Sequence, residues 1–179
     1  MQDENTYFLM GTFFLKEDQF DMAIGAFSKA IEDDPDNPLG YDYRGISRSK
    51  KSTYREAILD FTKAIQIDKK YVGAYCNRGL AYYKLGQLDK AIKDYDKAIE
   101  IEPETSFFYS NRGLAYFYRH DNFEAITDFN KAIELDPLDF ETWDFREEAY
   151  ANMSEGEKAI VEMADSANAI NINKHGGYC

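Results

Sequence analysis

Residues 72–105 read VGAYCNRGLAYYKLGQLDKAIKDYDKAIEIEPET, and residues 106–139 read SFFYSNRGLAYFYRHDNFEAITDFNKAIELDPLD. Laid over one another, the stretches match at Tyr75 and Tyr109, Gly79 and Gly113, Ala91 and Ala125, Ala98 and Ala132, and Pro103 and Pro137. The spacing of 34 residues continues outward. Tyr7 and Tyr41 precede the aromatic column and Trp143 follows it; Gly11 and Gly45 extend the glycine column. Ala23, Ala57 and Ala159 extend one small-residue column, and Ala30, Ala64 and then Ser166 extend the other. Five units result, 4–37, 38–71, 72–105, 106–139 and 140–173, without an insertion. A fixed period of this length means an array of small supersecondary units.

Each unit holds two apolar-periodic segments of about a dozen residues around a short polar break, the pattern of a helical hairpin. In the third unit the break is Leu85-Gly86-Gln87, and Pro103 stops the second helix. Gly79 in mid-helix costs roughly 1 kcal/mol relative to Ala. Its recurrence points to a close helix approach, helped by the small Ala91 and Ala98, with Tyr75, Tyr82 and Tyr95 filling the space around it. No single hairpin buries its own apolar faces, so stacking on neighbours supplies the core.

The pattern resembles the tetratricopeptide repeat family: an aromatic at position 4 of the unit, Gly at 8, Tyr at 11, Ala at 20, an aromatic at 24, Ala at 27 and Pro at 32. The resemblance implies an all-α fold, a right-handed α-solenoid of five antiparallel helical hairpins. The first helices would line its concave side. One array would occupy 1–173, the fifth repeat degenerate and capping, with a short tail over 174–179. It further implies a non-enzymatic protein–protein interaction module, a scaffold or adaptor, that binds a peptide segment of another protein in its concave groove. The alternative is a structural scaffold that assembles with itself through the array ends.

Composition narrows the function. The chain has 179 residues, 44% apolar and 30% charged, and 33 acidic against 21 basic residues give it a net charge of −12. Such a chain repels a phosphate backbone, which argues against nucleic acid as partner. Cys76 and Cys179 make no disulfide framework and no metal-ligand spacing. No apolar stretch has membrane-spanning length, and the apolar run in MQDENTYFLMGTFFLKED has no basic segment before it, unlike a signal peptide. A cytoplasmic setting is expected. The acidic string Glu32, Asp33, Asp34 and Asp36 lacks the spacing of a calcium loop and is broken by Pro35. His120 and His175 are isolated, and no phosphate loop, nucleophile elbow or metalloprotease motif occurs. The sequence therefore predicts no catalytic residues, no metal and no cofactor.

Two charged columns run in step. Arg44, Arg78, Arg112 and Arg146 stand at position 7, and Asp60, Asp94, Asp128 and Glu162 at position 23 of the same units. In the first unit both charges vanish together, to Met10 and Ala26. This paired loss predicts a partly buried ion pair between the helices of each hairpin. By unit the net charges are −6, +4, −1, −3 and −6. The basic second unit owes its charge chiefly to Arg48, Lys50, Lys51 and Arg55 around its turn, read either as a solvated turn or as a docking patch for an acidic segment. In the fifth unit Glu147 occupies the glycine column, Met163 replaces an aromatic and Asn171 replaces Pro. That hairpin is expected to splay, leaving Ile160, Met163, Ala167 and Ile170 without a following helix, either exposed as an apolar end or covered by another copy in a homo-oligomer formed through the C-terminal end.

The face of each first helix opposite its packing stripe defines the candidate groove. It carries Phe8, Thr12 and Leu15, then Tyr43 and Ile46, then Leu80 and Tyr83, then Phe107, Leu114, Phe117 and Tyr118. Among them stand Asn77 and Asn111, whose amides can both donate to and accept from a peptide backbone. Glu141, Asp144 and Glu148 close the stripe, so the expected ligand has apolar anchors and a flanking Lys or Arg. A subclass of the resembled family clamps the EEVD tail of chaperones with Lys at 5 and Asn at 9 of one unit, Asn at 6 of the next, and Lys at 2 and Arg at 6 of a third. Here those positions read Phe8, Thr12, Tyr43, Gly73 and Asn77 from the first unit, Asp42, Ile46, Asn77, Phe107 and Asn111 from the second, and Cys76, Leu80, Asn111, Glu141 and Phe145 from the third. Only the middle Asn matches, so that tail is not expected as ligand.

Overall fold

The computed structural model describes residues 6–161 and Met163. Over residues 6–151 the helices follow one another as α1 (Thr6–Lys16), α2 (Phe20–Asp33), α3 (Pro38–Lys50), α4 (Tyr54–Ile67), α5 (Val72–Lys84), α6 (Leu88–Ile101), α7 (Ser106–Tyr118), α8 (Asn122–Leu135) and α9 (Phe140–Ala151). The chain is helical again over 155–161, and no strand occurs among the described residues. From α3 onward each first helix begins at the unit boundary read from the sequence. Asn37 fixes one such start: its side chain accepts from the Leu39 amide at 3.0 Å, with Pro38 in the first turn.

The helices of a unit are separated by a three-residue turn whose middle residue has positive φ: Asp18 at 55°, Ser52 at 62°, Gly86 at 70° and His120 at 69°. Only Gly86 adopts this conformation without steric strain. The returning helix then packs back against the first. A Cβ placed on Gly11, Gly45 or Gly113 would stand 2.6, 2.6 or 2.7 Å from the ring of Phe27, Phe61 or Phe129, the aromatic of the second helix in the same unit. At Gly79 the distance to the Tyr95 ring relaxes to 3.0 Å. The glycine column therefore seats an aromatic ring, while Ala23, Ala57, Ala91 and Ala125 are fully buried beside it.

The hydrophobic cores lie at the seams between hairpins. One joins Phe61, Ala64 and Ile65 of α4 to Ala74 and Ala81 of α5. The next joins Tyr95 and Ala98 of α6 to Phe108 and Ala115 of α7. The last joins Phe129 of α8 to Ala149 of α9, together with Met153 and Val161. Each helix packs on its sequence neighbours, and α1, α3, α5, α7 and α9 additionally approach one another in order. The odd-numbered helices thus form the inner side of an α-solenoid of helical hairpins.

The expected ion pairs are present. Arg44 pairs with Asp60, Arg78 with Asp94 and Arg112 with Asp128, each at 2.7 Å, with both oxygens of the carboxylate engaged. Every one of these arginines also reaches back to the preceding hairpin: Arg44 to Ser28 at 3.1 Å, Arg78 to Thr62 at 3.0 Å and Arg112 to Asp96 at 2.6 Å. Glu162 lies outside the described residues; its expected partner Arg146 donates to Asn130 at 3.3 Å and lies 4.4 Å over the Trp143 ring.

The fifth unit departs from the repeat as its sequence implies. Glu147 is exposed, and so is Ala159, unlike every earlier alanine of its column. With a carboxylate where glycine should receive a ring, and Met163 in place of that ring, the second helix cannot seat in the usual way. Val161 is buried instead, while Ile160 and Met163 are exposed. Ala167 and Ile170, expected to lie uncovered, and the tail over 174–179 fall outside the described residues.

Candidate functional site

The residues expected to line the groove fall into three groups along the inner helices. At the first hairpins Phe8 and Tyr43 meet edge to face, centroids 5.2 Å apart, and both lie against the buried Phe27 at 5.6 Å. Such pairs add stability beyond their buried area. Thr12 stands beside them and bonds its own helix, Oγ1 donating to the Leu9 carbonyl at 2.8 Å.

Ile46, Asn77 and Leu80 come together around a cavity of about 220 Å³ between α3 and α5. Tyr54 and Phe61 of α4 close its base. Behind it lies Asp42, only 3% exposed and with no cation paired to it among the described residues. Asn77 Nδ2 donates to Asp42 Oδ1 at 3.0 Å and the Tyr71 hydroxyl donates to Oδ2 at 2.8 Å. Burial raises the Asp42 carboxyl above its ordinary value, and the hydrogen bonds from Asn77 and Tyr71 pull it partly back. Burial, then the Asp42 charge, pushes the neighbouring Cys76 thiol up to about 12, so this cysteine is no nucleophile at neutral pH. Because a carboxylate only accepts, Asn77 must turn its amide nitrogen to Asp42, which leaves Oδ1 as an acceptor.

Asn111 does not repeat this arrangement. Its Nδ2 donates to the Phe107 carbonyl of its own helix at 2.8 Å. The position that holds Asp42 in the second unit holds Cys76 in the third, a poor acceptor, so nothing draws the second amide inward.

The third group is aromatic. Tyr83 of α5 and Tyr118 of α7 meet edge to face at 5.7 Å, and Tyr118 contacts Phe117 at 5.3 Å. Burial, with the neighbouring Tyr118 hydroxyl, pushes Tyr83 up to about 12. Phe107 and Tyr118 are 53% and 51% exposed, whereas Phe117 is only 9% exposed. Phe117 packs on Phe145 at 5.9 Å, and with Leu114 it belongs to the last core. The expectation that Phe117 offers a free groove surface is corrected: α9 covers it. Glu141, Asp144 and Glu148 are exposed on α9.

The basic cluster of the second unit divides. Arg48 donates to Asp60 at 2.6 Å and Lys51 pairs with Asp21, so these two serve the turn and its neighbour. Lys50 borders the cavity. Sequence reasoning missed Asp42 and Lys84 as groove components. The available signal for Asp42 was an acid standing where the adjacent units carry Phe8 and Cys76. No group of His, Cys, Asp and Glu suited to hold a metal occurs among the described residues, and no helix among them is long and apolar enough to cross a membrane.

Comparison with known proteins agrees with this architecture. A crystal structure of MamA superposes with a TM-score of 0.79 at 23% identity, covering 100% of this chain and 98% of that one. The first TPR domain of Spaghetti (RPAP3) bound to HSP90 peptide SRMEEVD gives 0.62 at 28% identity, over 63% of this chain and 90% of that one. The second TPR domain of human RPAP3 in complex with HSP70 peptide SGPTIEEVD gives 0.60 at 29% identity, over 62% and 92%. No curated protein matches the chain. Family models described as tetratricopeptide repeat match residues 72–104 and 106–139, and one described as TPR repeat matches 48–86. With the 34-residue period, the seam-centred cores and the odd helices on the inner side, these matches lead to one conclusion: the chain belongs to the tetratricopeptide repeat family.

Proposed function

We propose that this protein is a non-enzymatic cytoplasmic adaptor that binds a peptide segment of another protein along its inner helices. Tetratricopeptide repeat domains generally mediate protein–protein interaction. One observation carries the reading for this chain. The inner face presents a discontinuous apolar stripe with a cavity in its middle and an amide, Asn77, whose carbonyl is left to meet a backbone N–H. The two RPAP3 domains support it, since both were solved with peptides.

The ligand on this reading has two or three apolar anchors. A Lys or Arg flanks them at the end that meets Glu141, Asp144 and Glu148. The chaperone EEVD tail is not the ligand, because the clamp positions hold Phe8, Asp42 and Cys76 where a lysine is required. Asn77→Ala with Tyr83→Ser should weaken binding of peptides selected from a displayed random library at least tenfold, while the helical melt stays cooperative. Unchanged binding, or low-micromolar affinity for an EEVD-ending peptide, contradicts the reading.

A second reading has its own support. Leu9, Met10 and Phe13 are exposed on α1, an apolar end against which another copy could stack. Sedimentation across a concentration series separates the two, a monomer throughout removing self-assembly.

A further inference from the structure

The cavity between α3 and α5 has a chemistry of its own. At about 220 Å³ it is sized for one side chain rather than for a whole small molecule. Its apolar wall is Ile46, Tyr54, Phe61 and Leu80. Its rim carries Lys50 and Lys84, the last residues of α3 and α5, both exposed. They stand at the same position of consecutive units. In a chain of net charge −12, neither has a carboxylate partner among the described residues. Lys84 instead lies 5.6 Å from the centroid of the Tyr83 ring. The adjacent Arg48 and Lys51, by contrast, are paired, Arg48 with Asp60, which Arg44 shares, and Lys51 with Asp21. The Ser49 hydroxyl at the same border is buried without a hydrogen-bond partner among the described residues.

We infer that this cavity takes an aliphatic or aromatic side chain of the bound peptide, and that Lys50 and Lys84 select an acidic residue within two positions of that anchor. The inference rests on the groove reading above and adds a polarity to it. An apolar anchor alone discriminates weakly among hydrophobic segments, whereas two unpaired cations beside the anchor favour one sign of charge. Asn77 Oδ1 accepts a backbone N–H of the segment, while the lysines meet the side-chain carboxylate. A free chain terminus is not required. With Glu141, Asp144 and Glu148 on α9, the groove offers cations at its second and third units and anions at its fifth. The ligand therefore runs in one direction, its acidic residue near α3 and α5 and its basic residue near α9.

The test is selection of random peptides displayed on a surface, with C-terminal fusion so that no free carboxylate contributes, against the full chain and against a Lys50→Gln, Lys84→Gln double variant. Both substitutions are at exposed positions, and an unchanged melt confirms that the variant folds. The wild type should enrich Leu, Ile, Phe or Tyr with Asp or Glu within two residues. The double variant should keep the apolar anchor and lose the acidic preference. For one enriched peptide, replacing its Glu by Gln should weaken binding about five- to tenfold, less at high salt. Absence of acidic enrichment in the wild type, or its survival in the double variant, overturns the inference. Enrichment of apolar peptides without acid leaves the groove reading standing while this one falls; no enrichment at all removes both.

Discussion

Arg78 holds Asp94 with two hydrogen bonds, Nε to Oδ2 at 2.8 Å and Nη2 to Oδ1 at 2.7 Å, and so ties α5 to α6. Its remaining Nη1 donates to Thr62 on α4 at 3.0 Å, and its guanidinium lies 5.7 Å from the Tyr75 ring centroid. One side chain thereby fastens its own hairpin and the seam to the preceding one. Burial works against the charge on Arg78, and the hydrogen bonds and charge of Asp94 outweigh it, raising Arg78 above its ordinary value. Removing one partner strands the other's charge away from water.

A double-mutant cycle on Arg78→Met and Asp94→Ala should therefore show a coupling of about 1–3 kcal/mol. Each single change should cost more than Thr62→Val, which removes only the neutral arm. Additive effects in chemical denaturation contradict the pairing.

The glycine column should respond unequally to alanine. At Gly113 the new Cβ meets the Phe129 ring at 2.7 Å, and overpacking of about 1–3 kcal/mol exceeds the roughly 1 kcal/mol gained in helix propensity. At Gly79 the ring stands at 3.0 Å, and the two effects come close to cancelling. Thermal melts should rank Gly113→Ala well below Gly79→Ala, and equal melting temperatures contradict the packing account.

Tyr95 is fully buried, and its hydroxyl has no hydrogen-bond partner among the described residues. The other described units carry Phe27, Phe61 and Phe129 at this position. Tyr95→Phe should stabilise the array by about 1 kcal/mol, since an unsatisfied buried hydroxyl is removed with the ring kept. A loss of stability on urea denaturation reveals a hidden role for that hydroxyl.

The Asp42 carboxyl gives a pH signature. Folding raises it above 3.8, chiefly through burial, so just above that value the folded chain keeps a proton that the unfolded chain has lost. Stability contributed by this group is thus lost as pH rises through the window above 3.8. Relative to Asp42→Asn, the wild type should lose stability as the pH rises above about 4, in parallel denaturation series. A difference independent of pH means that the carboxyl titrates normally.

The repeat boundaries, the hairpins and the ion-pair columns were legible because a 34-residue period displays each structural demand several times over. Arg44, Arg78 and Arg112 vary in step with Asp60, Asp94 and Asp128, and the unit lacking one partner lacks both. The reach of each arginine to Ser28, Thr62 and Asp96 was not legible, since any polar residue satisfies a guanidinium arm. In the groove the period misled. Asn77 and Asn111 occupy equivalent positions, yet Asp42 draws in the first and nothing draws in the second. Phe117 shares the face of the groove residues, but Phe145 of α9, standing where α5 and α7 carry Asn77 and Asn111, packs over it, a contact that Phe117's own column does not register. Lys84 reads as an ordinary solvated lysine until the fold places it beside Lys50.

The central claim is that the inner helices, and not the array ends or the outer helices, meet the partner. Amide chemical-shift mapping of the labelled full chain with a library-selected peptide tests it most directly. The account predicts that perturbations concentrate on α3, α5 and α7, largest around Ile46, Asn77, Leu80 and Tyr83. Perturbations confined to the outer helices α2, α4, α6 and α8, or to α1 and the 155–161 helix alone, contradict it.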